Sequence, residues 1–313
     1  VYAVGAGSNA IQAENSQWNK NSIAGSGGGF AFGDLAVTAG QTVTITISGG
    51  NVTVSYAGVT RFTANKGTSP SWDNDNYTVT VGPGGTASIH ASVTNGGAYL
   101  GGNSASFAGA YGGASAGSPA GNGAAANNSG GRSPIGAHGG NYENTFVNNA
   151  SPTAPRALTS AYTDPLLANA NGPGGVSLNY TSGSSGYPMF VPPSSGGGGA
   201  SFSSRYNPYG QAGGDFGGGG AAATSDSFVG GTGTYNNKTA YAGQGGILAG
   251  GGAAYTYVNT NYTYGYAYAY GGSGGYGGGG GGTYASAYDN QYGAGYAYSY
   301  PGTGGPALVL IYA

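Results

Sequence analysis

An all-β protein with almost no helix is the fold class that the sequence predicts, and three observations carry it. Residues 42–48, Thr-Val-Thr-Ile-Thr-Ile-Ser, alternate polar and β-branched side chains, the period of a half-buried strand. Nowhere along the 313 residues does a 3.6-residue apolar period develop. Glycine, at 71 residues, then dominates the later chain, where it suits turns, bulges or extended segments without side chains.

Residues 1–95 form the β-rich part, holding ten of the sixteen valines and only 15 glycines. After the 42–48 strand, Gly49-Gly50-Asn51 is a tight-turn signal and Val52 to Tyr56 resumes the alternation, so a hairpin is expected. Val59 to Thr63, Tyr77 to Val81 and Ile89 to Val93 supply three more strands, the last two parted by Gly82-Pro83-Gly84-Gly85. Strands at this spacing predict a small N-terminal β-sandwich or barrel.

From 96 to 305 glycine rises to about a quarter of the residues, with runs at 196–199, 217–220 and 277–282. A flexible linker shares this composition. Ordered, such a chain either packs as polyproline-II-like segments with no Cβ between them, or forms strands with glycine at the bulges. The strict Gly-X-Y period of collagen is absent. Eight of the fourteen prolines lie in 134–193, which reads as an irregular surface insertion, and 306–313 reads as a C-terminal strand.

Tyr262, Tyr264, Tyr266, Tyr268 and Tyr270 occupy alternate positions with Thr, Gly or Ala between them. Successive strand side chains point to opposite faces, so one face carries phenols and the other almost nothing. Tyr296, Tyr298 and Tyr300 repeat the pattern, and Tyr255 with Tyr257 begins another. The small face lets a second backbone approach, and the phenol face offers large area with polar tips. That phenol face is either an aromatic layer buried within or between subunits, or an exposed platform for sugars and surfaces.

Composition excludes several classes. Leu, Ile, Val and Phe together are about 13% of the chain, and charged residues 5%, so an ordinary α/β enzyme core is not expected. Net charge is −2, which sets the chain apart from a highly charged disordered tail. The seven basic residues (Lys20, Arg61, Lys66, Arg132, Arg156, Arg205 and Lys238) are scattered, so no nucleic-acid partner is expected. The longest apolar run, Ala307 to Ala313, is too short to span a bilayer. With no cysteine there is neither a disulfide framework nor a thiolate metal site. The sequence begins at Val1 with no Met and no basic-then-apolar leader, so either a signal peptide has been cut off or an initiator Met removed, and of the two a processed, exported chain is expected.

Motifs that look chemical lack their context. Gly113-Ala114-Ser115-Ala116-Gly117 fits a nucleophile elbow, but neither a strand nor a helix flanks it. Gly272, Gly274 and Gly277 fit G-x-G-x-x-G without a following helix, and Lys238-Thr239 lacks a phosphate loop. His90 and His138 lie far apart. Asp73-Asn74-Asp75-Asn76 reads as a solvated Asx turn rather than a calcium loop. No cofactor, metal or catalytic residue is expected. Asn51, Asn76, Asn127, Asn149, Asn179, Asn237 and Asn261 head Asn-x-Ser/Thr sequons, which matter if the chain passes through a glycosylating pathway.

Gly27-Gly28-Gly29-Phe30-Ala31-Phe32, followed by Leu35-Ala36-Val37-Thr38-Ala39-Gly40-Gln41-Thr42-Val43-Thr44-Ile45, resembles the opening of glycine-rich domains of bacteriophage tail fibres and receptor-binding adhesins. The ending Gly304-Gly305-Pro306-Ala307-Leu308-Val309-Leu310-Ile311-Tyr312 resembles the close of the same domains. The resemblance implies a non-enzymatic fibre or adhesin domain, with packed polyproline-II-like glycine helices in some members. The Tyr ladders and the Pro-rich insertion depart from that pattern.

Two functions are therefore expected to compete. In the first the chain is a subunit of a self-assembling extracellular filament, its partners other copies of itself. Low net charge favours association. Contact residues would be Val1, Tyr2 and Val4 on one terminal strand, Leu308 and Leu310 on the other, and the Tyr faces. In the second the chain is a phage-type tip on a virion, recognising a cell-surface glycan. An ice-binding face is disfavoured, because no regular Thr spacing repeats.

Overall fold

The computed structural model of the protein describes residues 1–119, 121–126, 142–143, 178–179, 189–190, 201–202, 207–210, 212–213, 218–219, 221–226, 236–260, 265–289 and 295–312. The fold is all-β, with no helix among the described residues. The first strands are β1 (Tyr2–Val4), β2 (Ile11–Asn15), β3 (Asn19–Ile23), β4 (Phe30–Asp34), β5 (Val43–Ser48), β6 (Asn51–Tyr56) and β7 (Val59–Ala64). Next come β8 (Ser71–Asp73), β9 (Thr78–Thr80), β10 (Ala87–Ile89) and β11 (Thr94–Tyr99). Two-residue strands follow at β12 (Tyr142–Glu143), β13 (Leu178–Asn179), β14 (Met189–Phe190) and β15 (Ser201–Phe202). The later strands are β16 (Ala222–Asp226), β17 (Asn236–Tyr241), β18 (Ala254–Thr260), β19 (Gly265–Tyr270), β20 (Thr283–Asp289), β21 (Tyr296–Tyr300) and β22 (Leu308–Leu310). Apart from β12, β13 and β14, the Pro-rich 134–193 segment lies outside the described residues.

A small sandwich does form at the N-terminal end. One sheet runs β11-β4-β1-β22 and the other β10-β7-β6-β5. Ala3 and Ala31 of the first meet Val52, Val54, Phe62 and Ala64 of the second, all fully buried. Burying each Val or Phe contributes about 1.5–3 kcal/mol. The expected boundary at residue 95 does not hold as a sheet boundary. β22, from the opposite end of the chain, pairs with β1, and β11 straddles residue 95 to pair with β4. The β2–β3 hairpin meanwhile leaves the sandwich to pair with β20.

The hairpin expected at 49–51 is present, with Gly49 and Gly50 both at positive φ (59° and 87°), as a two-residue turn of this kind requires. The strand expected at Ile89–Val93 ends at Ile89 instead. The Val93 N–H turns back to the His90 carbonyl and the Ser92 N–H bonds the His90 Nδ1, so a local turn displaces the ladder.

The later chain repeats one unit: a strand, a short connection, a second strand, and a glycine-rich return. First strands of each unit stack in parallel as β16-β18-β20, and second strands as β17-β19-β21. Ala254, Val258, Ala267, Ala269, Ala285 and Ala287 are buried between the two sheets. Antiparallel β3 closes one end of the first stack against β20, with β2 outside it.

The glycine returns are threefold. N–H groups of Ala242, Gly245, Leu248, Gly251 and Ala254 donate to the carbonyls of Tyr270, Ser273, Tyr276, Gly279 and Gly282. Each donor lies three residues after the last, and each acceptor 28 positions on (242 to 270, 254 to 282). Gly271, Gly274 and Gly277 bond Tyr300, Thr303 and Pro306 in the same way. A three-residue period with bonds to neighbouring segments is that of polyproline II, so these segments form a packed bundle rather than further strands, broken by one local turn in each where Ala249 donates to Gly246 and Gly278 to Gly275. Residues 24–29 lie inside it: Gly25 and Gly28 donate to Gly280 and Gly277, while Gly27 donates to Gly102 and Gly29 to Asn65.

Glycine is required here because a carbonyl occupies the space of its side chain. A methyl group on Gly251 would overlap the Gly272 carbonyl oxygen, and one on Gly28 would overlap that of Gly5. Gly251→Ala is expected to destabilise the fold by at least about 1–3 kcal/mol, the range for overpacking. Gly58→Ala, at a turn with open space but φ of 75°, should cost only about 1–2 kcal/mol. Denaturant unfolding of the two variants checks the difference.

Candidate functional site

β19 shows how the tyrosine face is built. Gly265, Ala267 and Ala269 are buried against the facing sheet, while Tyr266, Tyr268 and Tyr270 stand half-buried on the outside. The period-two reading therefore holds for these three, with Tyr262 and Tyr264 outside the described residues. Small inner side chains let the sheets approach, and Thr256 Oγ1 donates across to the Tyr268 carbonyl at 2.7 Å. The buried hydroxyls of Ser22 and Thr283 and the half-buried one of Ser299 join β3, β20 and β21 in a further polar link.

Parallel, in-register pairing then places like on like. Tyr266 lies beside Tyr296, Tyr268 beside Tyr298, and Tyr270 between Tyr241 and Tyr300. The rings of Tyr268 and Tyr298 stack at 4.7 Å with planes 7° apart. The longest column among the described residues is Tyr209, Tyr241, Tyr270 and Tyr300, with successive centroids at 4.8, 4.8 and 4.4 Å. Inside a column the ring faces are used on each other, so edges and hydroxyls are what face solvent. At the two ends of this column among the described residues, Tyr209 is 61% and Tyr300 45% exposed. On the far face of the β16-β18-β20 sheet Tyr255 and Tyr284 stack at 5.0 Å. Each such pair contributes about 0.5–1.5 kcal/mol beyond burial.

The face carries little charge. Lys238 is buried on the inner side of β17, and Lys20 sits 5.7 Å above the Tyr298 ring. Burial raises the Tyr268 phenol above its ordinary value of 10.0, and the neighbouring phenols of Tyr298, Tyr266 and Tyr300 add to the rise. Tyr270 is raised likewise, by burial first and then by Tyr300 and Tyr241. Burial also raises Tyr284, opposed by a hydrogen bond from Ser286.

The terminal strands behave differently from expectation. β1 lies between β4 and β22 with both edges bonded, so Tyr2 and Val4 are not on an open edge. Tyr2 pairs with Leu310 and Val4 with Leu308, and the Val1 amine donates to the Gly33 carbonyl at 3.0 Å. The two strands read as separate assembly edges satisfy each other, which leaves β22 with one open edge among the described residues. Neither Tyr209 nor Tyr241 was singled out from sequence. Their signal is the spacing of about 30 residues linking 209, 241, 270 and 300.

The motifs with a chemical look have structural surroundings. Ser115 is fully buried in the glycine bundle, where its hydroxyl accepts the Ala124 N–H at 2.7 Å. Asp73 accepts the N–H of Asp75 at 2.9 Å and the side-chain amide of Asn76 at 2.7 Å, an Asx turn. His90 Nδ1 lies 3.0 Å from an Arg61 guanidinium nitrogen. His138 lies outside the described residues. No helix is long and apolar enough to cross a membrane among the described residues. Comparison with protein-family models, curated proteins and solved structures gives no match.

Raised phenol pKa values mean that the folded chain holds these protons more tightly than the unfolded chain. Stability is therefore full below pH 10, the unfolded value, and falls as pH rises through the higher folded values. Thermal melting from pH 8 to 12 should show that fall, with the absorbance change of phenolate formation lagging behind free tyrosine. Tyr268→Phe removes one of the titrating groups and should shrink the fall.

Proposed function

We propose that the chain is a non-enzymatic structural subunit of a self-assembling extracellular filament, with its tyrosine columns as contact and adhesive surface. One observation carries this reading: among the described residues a four-ring column ends on exposed rings at both sides, Tyr209 and Tyr300. A stack with two open ends is extended by the like stack of another copy. Such a contact is heterologous, since one patch meets a different patch, and it generates an open polymer when it does not close. Near-zero net charge leaves little repulsion between copies.

The second reading is a receptor-binding tip for a cell-surface glycan, as the resemblance to phage fibre domains implies. It is favoured by Tyr296 and Tyr300, exposed on the outermost strand of the sheet, because an open ring face can stack on the apolar face of a sugar.

Electron microscopy of the purified protein at neutral pH separates the two. Long uniform filaments are expected, and Tyr300→Ser should raise the critical concentration roughly tenfold, the equivalent of about 1.4 kcal/mol. Discrete particles that bind on a glycan array, with binding lost on Tyr296→Ser and Tyr300→Ser, would replace the filament by the adhesin.

A further inference from the structure

Most sheet edges among the described residues are blunted. β11 carries Gly96 and Gly97 at a register shift, and β2 carries Glu14 and its own shift. On β21 the Ala297 N–H is taken by the Gln17 carbonyl, and β17 meets Tyr209 in a bridge beyond its outer edge. β10 and β22 are three residues long. Natural proteins blunt edges in these ways because an open edge templates another chain.

β5 shows none of these devices. It is the edge of β10-β7-β6-β5, six residues long, Val-Thr-Ile-Thr-Ile-Ser, without charge, Pro, Gly or register shift against β6. Its apolar side is also uncovered. Ile45 and Ile47 lie opposite the buried Val54 and Val52, on the core face of the sheet, yet are 45% and 54% exposed. The sandwich core thus runs out past its covering layer along this strand.

We propose that β5 pairs antiparallel with β5 of a second copy of this chain, about a two-fold axis through Ile45. The strand itself selects that partner. Read in either direction its apolar positions fall at 43, 45 and 47, so the pairing sets Ile45 against Ile45, Val43 against Ile47 and Thr44 against Thr46. The hydrogen-bonding register agrees. Ser48 and Asn51 close the two-residue hairpin, which turns the N–H and C=O groups of 48, 46 and 44 toward β6. Those of 43, 45 and 47 therefore point outward, and these are the residues that the two-fold pairing opposes as hydrogen-bonded pairs. The two sheets become one, and the exposed isoleucines of both copies form a continuous apolar strip.

The contact rests on the self-assembly reading in taking a second copy as partner, but it is isologous and separate from the tyrosine columns. The chain has no cysteine, so single substitutions report the register directly. Under mild oxidation I45C is expected to give a covalent dimer, because Ile45 faces its own copy across the axis at a separation a disulfide spans. I47C, which faces Val43, is expected to give none. I45P, which removes an outward N–H without touching the ladder to β6, should weaken dimerisation at least tenfold by analytical ultracentrifugation. A folded I45C that stays uncrosslinked, or an I47C that crosslinks equally well, overturns the pairing. If wild-type filaments persist in micrographs while I45C stays uncrosslinked, the β5 contact falls and self-assembly stands. A wild-type chain that is monomeric at all concentrations overturns both.

Discussion

The structure depends on one close approach: the backbone of one glycine segment resting on the carbonyl oxygens of the next. Where a Cβ would stand on Gly7, Gly113 or Gly278, the carbonyls of Gly278, Gly279 and Ala249 stand instead. No other residue type permits that spacing, and the spacing lets most of the bundle's bonded amides reach a carbonyl of a neighbouring segment, Ala249 and Gly278 turning back on their own instead. A chain with so few large apolar residues cannot rest on hydrophobic burial alone. Its interior is satisfied by backbone hydrogen bonds between neighbours, each modest in net worth but costly to leave unmade. Glycine loses more conformational entropy on ordering than other residues, and the dense bonding of the bundle offsets that cost.

The bundle also fixes where the tyrosines go. The threefold bonds that begin at Ala242 with Tyr270 end at Ala254 with Gly282, and Ala254 is at once the first residue of the parallel ladder to β20. The register of the glycine segments passes unbroken into the register of the strands. A return one residue longer would shift a strand by one position and turn its tyrosines inward, since strand side chains alternate. Ring stacking at 4.4–5.4 Å is thus a consequence of backbone spacing in the bundle, and the rings add their own attraction to a register already set.

The sequence made the local elements legible and left the long-range ones hidden. β5, β6 and the turn between them follow from β-branched alternation and a Gly-Gly pair, both of which act over a few residues. The one-sided phenol pattern of β19 is legible for the same reason. Three features depend on contacts far apart in sequence: the pairing of β1 with β22, the capping of β20 by β3, and the column through Tyr209 and Tyr241. Composition could not decide between strand and polyproline II in the glycine region. The decision lies in which neighbour each N–H meets, and glycine itself is compatible with both. Ile89–Val93 failed as a strand because the His90 carbonyl offered a nearer acceptor than the next strand did.

Charge bears on what such a surface would do in the proposed assembly. With 16 charged side chains in 313 residues, long-range steering and long-range repulsion are both weak. In the proposed assembly, contacts between copies would then be decided at short range by shape, ring faces and open strand edges. Specificity must come from which edges are closed. Bulges, glycines, short length and borrowed carbonyls close β11, β2, β10, β22 and β21 to varying degrees, and the uncharged β5 stands out against them. A column that extends head to tail and a strand that pairs about a two-fold are geometrically independent, one along the stack of repeats and one at the sandwich. Together they would join linear arrays side by side, and a chain of net charge −2 can sustain such an array because its field opposes the approach of the next copy only weakly.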